Sequence, residues 1–180
     1  MITEDKDDFI TVGGVQVPSD FAVECKWVTP YLALGGMIGT GANMQHLRAC
    51  GITHVLDLQA EFDDSLLGVE TGVTVLWLAV PETSGPVPPE LIAAAVAFAT
   101  RVLSDPGHRL FVHCLAGRRR APTFTYAILR SLGYEQSEAI EAVRTAEPKA
   151  FLEDEHLRAV EVALLARSNG SARELQKGAE

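Results

Sequence analysis

The stretch FVHCLAGRRRAPT, residues 111–123, brings a histidine, a cysteine and three arginines together in one short segment. Cys114 and Arg120 are separated by five residues, and Gly117 lies between them. An ionised cysteine is a nucleophile, and a planar guanidinium holds two oxygens of an anion at once. Since the chain as a whole is acidic, with a formal net charge of -9, the segment predicts an anion site that is confined to this place.

The elements predicted around the segment explain how it could bind phosphate. RLFVH is typical of a buried strand, and Pro122 is placed to open a helix directly after the loop. A tight turn from strand to helix aims backbone N–H groups inward, and the positive end of the helix dipole faces the same place. We therefore expect Cys114 to be a thiolate below the phosphate and Arg120 to grip its oxygens, which permits in-line attack and a phosphocysteine intermediate. His113 is expected to orient the loop without transferring a proton.

Two simpler interpretations compete with this one. A cysteine that ends a buried strand is most often a small core residue, and adjacent arginines commonly form a solvated face. A zinc site is disfavoured because the remaining histidines show no ligand spacing. These are His46, His54, His108 and His156. The strand, loop and helix in sequence favour the anion site.

The scaffold is predicted from alternating strand and helix patterns. Strands are expected within WVTPYLALGG, ITHVLDL, VTVLWLAV and RLFVH, and helices at about 41–50, 89–104, 122–132, 136–146 and 153–167. This order indicates a single α/β domain with a central, mainly parallel sheet of about four to five strands flanked by helices. Ligands bind such sheets at the carboxyl ends of the strands. Residues 1–24 are predicted to form an N-terminal arm or hairpin, 25–167 the main domain, and 168–180 a polar, frayed tail.

VHCLAGRRRAPT resembles the signature of cysteine-dependent protein tyrosine phosphatases, most closely the small dual-specificity type. PYLALGG, LRACGITHVLDLQAE, the proline-rich loop and VRTAEPKA follow in the family's order. The resemblance implies a metal-free, cofactor-free phosphomonoester hydrolase whose catalytic domain covers 25–167. It gives Cys114 the role of nucleophile and Arg120 that of phosphate clamp. The residues expected to bind the substrate phosphate are Leu115, Ala116, Gly117, Arg118, Arg119 and Arg120.

The resemblance also requires a carboxylic acid that protonates the leaving oxygen. Aligning VPETSGP with the family's acid loop places this role on Glu82, one carbon longer than the usual aspartate. A second alignment places it on Ser84, which cannot act as an acid. The reserve candidates are Asp57, Asp63 and Asp64.

Ala121 departs from the family pattern, which has serine or threonine directly after the arginine. That hydroxyl helps the cysteine leave when the phosphoenzyme is hydrolysed, so slow turnover is expected unless Thr123 replaces it. Arg118 corresponds to a position that is basic in phosphoinositide phosphatases of the superfamily. Arg119 is expected to form an ion pair with an acidic residue.

Three functions remain open from the sequence. The first is a protein tyrosine or dual-specificity phosphatase, the second a phosphatase of phosphoinositides, inositol phosphates or nucleotides, and the third a phosphate-binding pseudophosphatase. The acidic charge and the lack of a long apolar run predict a cytoplasmic protein that does not bind nucleic acid or insert into membranes. The sequence leaves open the oligomeric state and a protective disulfide between Cys114 and Cys25 or Cys50.

Overall fold

The computed structural model describes residues 9–12, 14–18, 20–82 and 85–177. The strands are β1 (Phe9–Val12), β2 (Val15–Pro18), β3 (Lys26–Thr29), β4 (Leu32–Gly35), β5 (His54–Gln59), β6 (Thr74–Val80) and β7 (Leu110–His113). The helices are α1 (Gly41–Ala49), α2 (Ser65–Thr71), α3 (Pro89–Leu103), α4 (Arg120–Ser131), α5 (Gln136–Ala146) and α6 (Asp154–Lys177).

The main sheet has five strands in the order β3, β4, β7, β5, β6. β4, β7, β5 and β6 run parallel, whereas β3 pairs with β4 in the antiparallel direction. This confirms the predicted α/β class with a mainly parallel sheet of about five strands. β1 and β2 form a separate antiparallel hairpin inside the segment predicted as an arm or hairpin.

WVTPYLALGG was expected to contain one strand, and it contains two. Thr29 ends β3, and its hydroxyl accepts hydrogen bonds from the N–H groups of Tyr31 (3.3 Å) and Leu32 (3.1 Å). Pro30 lies in the turn, where its fixed φ and missing N–H suit a chain reversal better than a continuous strand. β3 consequently covers one side of β4 and leaves the other side to β7.

The sheet buries both of its faces, as its apolar strands predicted. Alternate side chains of the strands enter two clusters. One cluster contains Leu34, Leu56, Leu110 and Val112 together with residues of α3, α4 and α6, and the other contains Ala33, Val55 and Phe111 together with residues of α1. Every residue of β7 is buried. The strand that leads into Cys114 is therefore held on both sides.

Two helix boundaries differ from the prediction. α4 begins at Arg120, so Pro122 is its third residue rather than its first, which costs nothing because N–H groups of the first turn have no partner within the helix. α6 continues to Lys177, ten residues beyond the predicted end of the helix at residue 167, because the segment ARELQK consists of good helix formers. Across the described ranges, every helix is too short or too polar to cross a bilayer.

Candidate active site

Four parallel strands end at the same edge of the sheet and bring distant parts of the chain together there. β7 lies between β4 and β5, and β6 follows β5. The segments that leave these strands begin at Gly36, Ala60, Pro81 and Cys114. Because the carboxyl ends of parallel strands are neighbours, the loop after β7 is surrounded by the other three segments.

The loop 114–120 is held from outside through its carbonyl groups. The carbonyl of Leu115 accepts from the N–H of Met37 (3.0 Å), and that of Arg118 accepts from the N–H of Phe151 (2.7 Å). The carbonyl of Arg119 accepts from Thr123 in the first turn of α4 (3.0 Å). In a trans peptide the N–H points opposite to the carbonyl. The amides that follow these carbonyls therefore point toward the inside of the loop, as an anion nest requires.

Gly117 allows the loop to pass close to the end of β4. Its φ is +71°, and a Cβ at this position would lie 2.7 Å from the carbonyl carbon of Gly35 and 2.8 Å from the nitrogen of Gly36. Both atoms belong to the backbone and cannot move aside. Any side chain at residue 117 would force the loop away from the sheet edge.

Cys114 and Arg120 lie at the two ends of this loop, with 2% and 4% of their surfaces exposed. Together with Glu61, Glu82, Leu115 and Phe151, among others, they line a cavity of about 450 Å³. The sulfur is thus reachable only through the space enclosed by the loop. That Cys114 is a thiolate stays a prediction.

Arg120 is fixed by more partners than the sequence suggested. Its Nη1 donates to a carboxylate oxygen of Glu61 (2.9 Å) and to the carbonyls of Val80 (3.0 Å) and Leu58 (3.3 Å), while Nη2 donates to the second oxygen of Glu61 (3.0 Å). Burial opposes the charge of Arg120, but the bond to Glu61 and the nearby acids outweigh it and raise its pKa. Burial likewise opposes ionisation of Glu61, whose pKa is nevertheless lowered by hydrogen bonding to Arg120.

Glu61 is the site residue that sequence reasoning missed. It lies just beyond the carboxyl end of β5, which is the neighbour of β7 in the sheet. The sequence held one signal for this residue: an acid directly after a buried strand can reach an arginine at the same edge of the sheet. Strand order, which the sequence does not reveal, decides that this acid meets Arg120.

Glu82, the predicted acid, is found at the site and forms an ion pair with Arg120. Its carboxylate lies 2.6 Å from Nε of Arg120 and 3.8 Å from Nη1 of Arg119. The ion pair expected for Arg119 is also present, since its Nη2 lies 3.0 Å from Glu153. Ser84, the alternative acid position, lies outside the described residues. In this conformation a carboxylate occupies the Nε face of the guanidinium, where a phosphate oxygen could bind.

The reserve acids do not reach the cavity. Asp63 is exposed, whereas Asp57 and Asp64 are fully buried and face His113 instead. They are therefore wrong candidates for protonating a leaving group. Burial lowers the pKa of His113 to about 3. Among the residues that the structure describes, Asp57, Asp64 and His113 are the one group of three side chains whose possible metal-binding atoms all lie within 4.8 Å of one another.

A second groove adjoins the loop 114–120, named the phosphate loop for the anion site predicted there. It has a volume of about 770 Å³ and shares Leu115, Ala116 and Arg118 with the walls of the first cavity. Lys26, at its other side, is already paired with Glu147 (2.5 Å) and Glu24 (2.8 Å). Arg118 is exposed and lines both cavities.

Ala121 and Thr123 both lie in the first turn of α4 and are almost completely buried. The hydroxyl of Thr123 is buried without a hydrogen-bond partner among the described residues. Thr123 lines a small cavity with Glu82 and Arg120 that does not include Cys114. The Thr123 hydroxyl is therefore not placed beside Cys114, and it does not replace the hydroxyl that is missing at residue 121.

The other cysteines lie next to each other. Burial, together with the neighbouring Cys50, raises the pKa of Cys25 to about 12. Cys50 itself is 3.7 Å from Nε2 of His46, measured from Sγ. None of the three cysteines forms a disulfide in the structure.

Comparisons with known proteins agree with the geometry. Residues 22–165 match the family described as "Swiss Army Knife protein, DSP-PTPase phosphatase domain". Dual specificity protein phosphatase 26 of Bos taurus is 32% identical over 104 residues, which cover 57% of this chain and 48% of that protein. The chain thus spans about half the length of this relative.

Solved structures share the fold at low sequence identity. DUSP15 superposes with a TM-score of 0.67 at 23% identity, over 87% of this chain and 96% of the other. PTPMT1 in complex with PI(5)P gives a TM-score of 0.67 at 21% identity, over 78% and 96%. The family match covers most of the chain and includes the whole phosphate loop. The chain therefore belongs to the dual-specificity type of the cysteine-dependent protein tyrosine phosphatase superfamily.

Proposed function

We propose that the protein hydrolyses phosphomonoesters through a phosphocysteine intermediate, with tyrosine- or serine/threonine-phosphorylated proteins as its first candidate substrates. The observation that carries the proposal is the position of Cys114 below a loop whose carbonyls are bonded outward and whose last residue, Arg120, is braced by Glu61. Hydrolysis of an aryl phosphate that vanadate inhibits is the experiment that tests it.

In the first step, the sulfur of Cys114 attacks phosphorus in line with the ester oxygen. The S–P bond forms as the P–O bond to the leaving group breaks, and the leaving oxygen takes a proton from the acid. The transferred oxygens are held by the inward amides and by Arg120, on which they displace Glu82 from Nε. The displaced Glu82 carboxylate takes a proton from solvent and, as a carboxylic acid beside the leaving group, gives that proton to the leaving oxygen.

In the second step, water attacks the phosphocysteine. The carboxylate of Glu82, which gave its proton in the first step, accepts one from the water, and the S–P bond breaks to release phosphate and the Cys114 thiolate. Ala121 offers no hydroxyl to stabilise that departing sulfur. The second step is therefore the slow one in this account.

Glu82→Gln tests the acid. On an aryl phosphate with a poor leaving group we expect kcat/KM, which reports the first step, to fall by about 10²–10⁴-fold, the range that proton transfer contributes, with a much smaller loss on a good leaving group. Inorganic phosphate should bind more tightly to the variant, because the glutamine no longer competes as an anion for Nε of Arg120. Steady-state kinetics and isothermal titration calorimetry measure the two effects.

Glu153→Gln is the matched control for this variant. Glu153 and Glu82 have similarly exposed side chains (42% and 45%), and Glu153 pairs with Arg119 rather than with Arg120. The control should leave the leaving-group dependence as in the wild type. Equal losses of kcat/KM in Glu82→Gln on good and poor leaving groups would reject Glu82 as the acid of the first step.

Ala121→Ser tests the missing hydroxyl. The wild type should show a pre-steady-state burst of product, because the phosphoenzyme accumulates before it is hydrolysed. The serine variant should turn over faster and lose part of the burst, as rapid-quench kinetics measure. Ala127→Ser, which buries a hydroxyl at another completely buried position of the same helix, is the control for altered packing. A linear onset in the wild type with no gain from Ala121→Ser contradicts this assignment.

A phosphatase of phosphoinositides, inositol phosphates or nucleotides is the second candidate, and Arg118 is the observation that favours it. This exposed arginine stands between the phosphate cavity and the larger groove, where a second phosphate of the same molecule would lie. PTPMT1, which shares the fold, is known in complex with PI(5)P. Assaying phosphopeptides, inositol phosphates and nucleotides side by side, with wild type and Arg118→Ala, separates the two substrate classes.

A phosphate-binding pseudophosphatase is the third candidate. It is favoured by the absent hydroxyl at Ala121 and by the ion pair that holds Glu82 on Arg120. Vanadate binding without any hydrolysis of aryl phosphates supports this candidate over both enzymes. Turnover at any rate that depends on Cys114 rejects it.

A further inference from the structure

A buried polar cluster lies beneath the phosphate loop and has no place in the reaction steps above. It consists of Asp57 in β5, Asp64 just before α2, and His113 at the end of β7, and all three side chains are completely buried. Nε2 of His113 lies 3.4 Å from Oδ1 of Asp57 and 3.4 Å from Oδ2 of Asp64. A buried group of this kind is costly unless its charges and hydrogen bonds are balanced.

The two carboxyl groups have different surroundings. Asp57 accepts backbone N–H bonds on both oxygens, from Gln59 (2.8 Å) and from Asp64 (3.1 Å), and such bonds favour the ionised form. Neither side-chain oxygen of Asp64 has a well-formed hydrogen bond within the described part of the chain. If one of the two carboxyl groups holds a proton, the geometry selects Asp64.

The imidazole supplies the acceptor for that proton. Burial keeps His113 neutral, with a pKa of about 3, although an interaction with the Cys114 backbone acts in the opposite direction. Neither ring nitrogen has a hydrogen bond within the described part of the chain, and Nε2 is turned toward both carboxyl groups. Two ionised carboxyl groups buried against one neutral ring would repel each other without compensation, so one of them holds a proton. Nε2 can accept that proton when the ring hydrogen is on Nδ1. Three acceptors would converge without a donor if both acids were ionised.

We propose that Asp64 is a positioning residue that acts as a neutral carboxylic acid and donates its proton to Nε2 of His113. The proton fixes the orientation of the ring next to Cys114 and cancels one of the two buried negative charges. A small rotation of either side chain shortens the 3.4 Å separation to hydrogen-bond length. The consequence for the loop rests on the proposed function, whereas the position of the proton does not.

The neighbouring charges are consistent with this arrangement. Burial raises the pKa of Asp64 to about 7, with a further increase from the charge of Asp63 and a decrease from the Gly39 backbone. Burial also raises the pKa of Asp57 to about 7, the charges of Asp64 and Asp63 raise it further, and its two backbone bonds act against the increase. Arg120 lowers the pKa of His113 in addition to burial. The ring of Phe111 stacks on the imidazole at 5.7 Å between centroids and excludes water from that face.

Nuclear magnetic resonance of the wild-type protein measures the proton directly. With ¹³C-labelled aspartate and ¹⁵N-labelled histidine, we expect the Asp64 carboxyl carbon to titrate near neutral pH, far above that of Asp63, and His113 to stay a neutral Nδ1–H tautomer. An imidazolium signal for His113 between pH 5 and 8, or an Asp64 carboxyl that titrates together with Asp63 near pH 4, overturns the proposal. Neither readout requires phosphatase activity, so it separates failure of this proposal from failure of the proposed function.

Substitutions at Asp64 test its effect on the loop. Asp64→Asn keeps a donor in place of the acid proton, so its kcat should stay close to that of the wild type, whereas Asp64→Ala should lower kcat by about 10–100-fold with little change in KM. Asp63→Asn, at the exposed neighbouring residue, is the matched control. Equal losses of kcat in Asp64→Asn and Asp64→Ala overturn the proposal. So does a divalent metal that is bound stoichiometrically by the wild type and by Asp63→Asn but not by Asp64→Asn.

Thermal unfolding gives a readout that remains available if a variant is inactive. A carboxyl with a raised pKa in the folded state holds a proton that the unfolded chain has lost, so its stabilisation disappears as the pH rises from about 4 to about 7. Relative to the wild type, Asp64→Asn should therefore gain several degrees in Tm between pH 5 and pH 8. Asp63→Asn should follow the wild-type pH dependence. A difference in Tm between wild type and Asp64→Asn that does not change with pH contradicts the proposal that Asp64 is a neutral acid.

Discussion

Cys114→Ser is expected to abolish hydrolysis of aryl phosphates while it leaves the binding of tungstate or inorganic phosphate intact. Serine is nearly the same size, so the loop, its outward carbonyl bonds and Arg120 keep their positions. A hydroxyl in this place has no base to remove its proton, and loss of a covalent nucleophile costs about 10⁵-fold or more in kcat. Steady-state kinetics and calorimetry of the same protein sample measure both properties.

Cys50→Ser is the control for removing a free thiol. Cys50 is partly exposed, contacts His46 and lies outside the phosphate loop, so its replacement should leave kcat unchanged. Residual activity in Cys114→Ser at a tenth of the wild-type value or more, with the control normal, would place the nucleophile elsewhere.

Arg120→Lys should weaken phosphate binding and lower kcat/KM together, by about 10²–10³-fold for each charge-stabilising donor lost in the transition state. The guanidinium bridges Glu61 and Glu82 and keeps the geometry to hold two phosphate oxygens, which a lysine ammonium cannot do as a point charge. The substitution also leaves the bidentate partner Glu61 with an incomplete set of bonds. We expect the variant to fold, since the ammonium retains the buried positive charge.

Arg119→Lys is the matched control for Arg120→Lys. Arg119 is adjacent in sequence, but its side chain is 34% exposed and pairs with Glu153. Exposed ion pairs of this kind contribute little, so kcat/KM should change by less than about tenfold. A loss in Arg119→Lys as large as that in Arg120→Lys would contradict the assignment of Arg120 as the phosphate clamp.

The positions of Cys114 and Arg120 at the two ends of one loop could be predicted from the sequence because one continuous segment builds them. A buried strand, a loop with Gly117 and a helix start follow one another within residues 110–123, so local geometry alone sets Cys114 below a ring of amides. Glu82 was identified from a looser match to a family loop, and it is found at the site. Its ion pair with Arg120 could not be foreseen, since that contact joins the ends of two strands that are not adjacent in the sheet.

The contacts of the supporting residues depend on strand order and could not be predicted for that reason. Glu61 and Asp64 follow β5, and only the placement of β5 beside β7 brings them to Arg120 and His113. The turn at Pro30 and the extension of α6 to Lys177 were missed for a different reason. In both places a local signal was present. The proline inside an apolar run indicates a turn after β3, and the helix-favouring residues of the polar tail indicate a longer α6.

The most direct test of the account is to trap the phosphoenzyme. Wild-type protein is mixed with an aryl phosphate, quenched in acid within the burst, and digested for mass spectrometry. We predict that the peptide containing Cys114 carries the additional mass of one HPO₃ group on its sulfur, and that the adduct disappears as turnover proceeds. Product formation without any adduct on Cys114, or an adduct on another residue, would contradict the account.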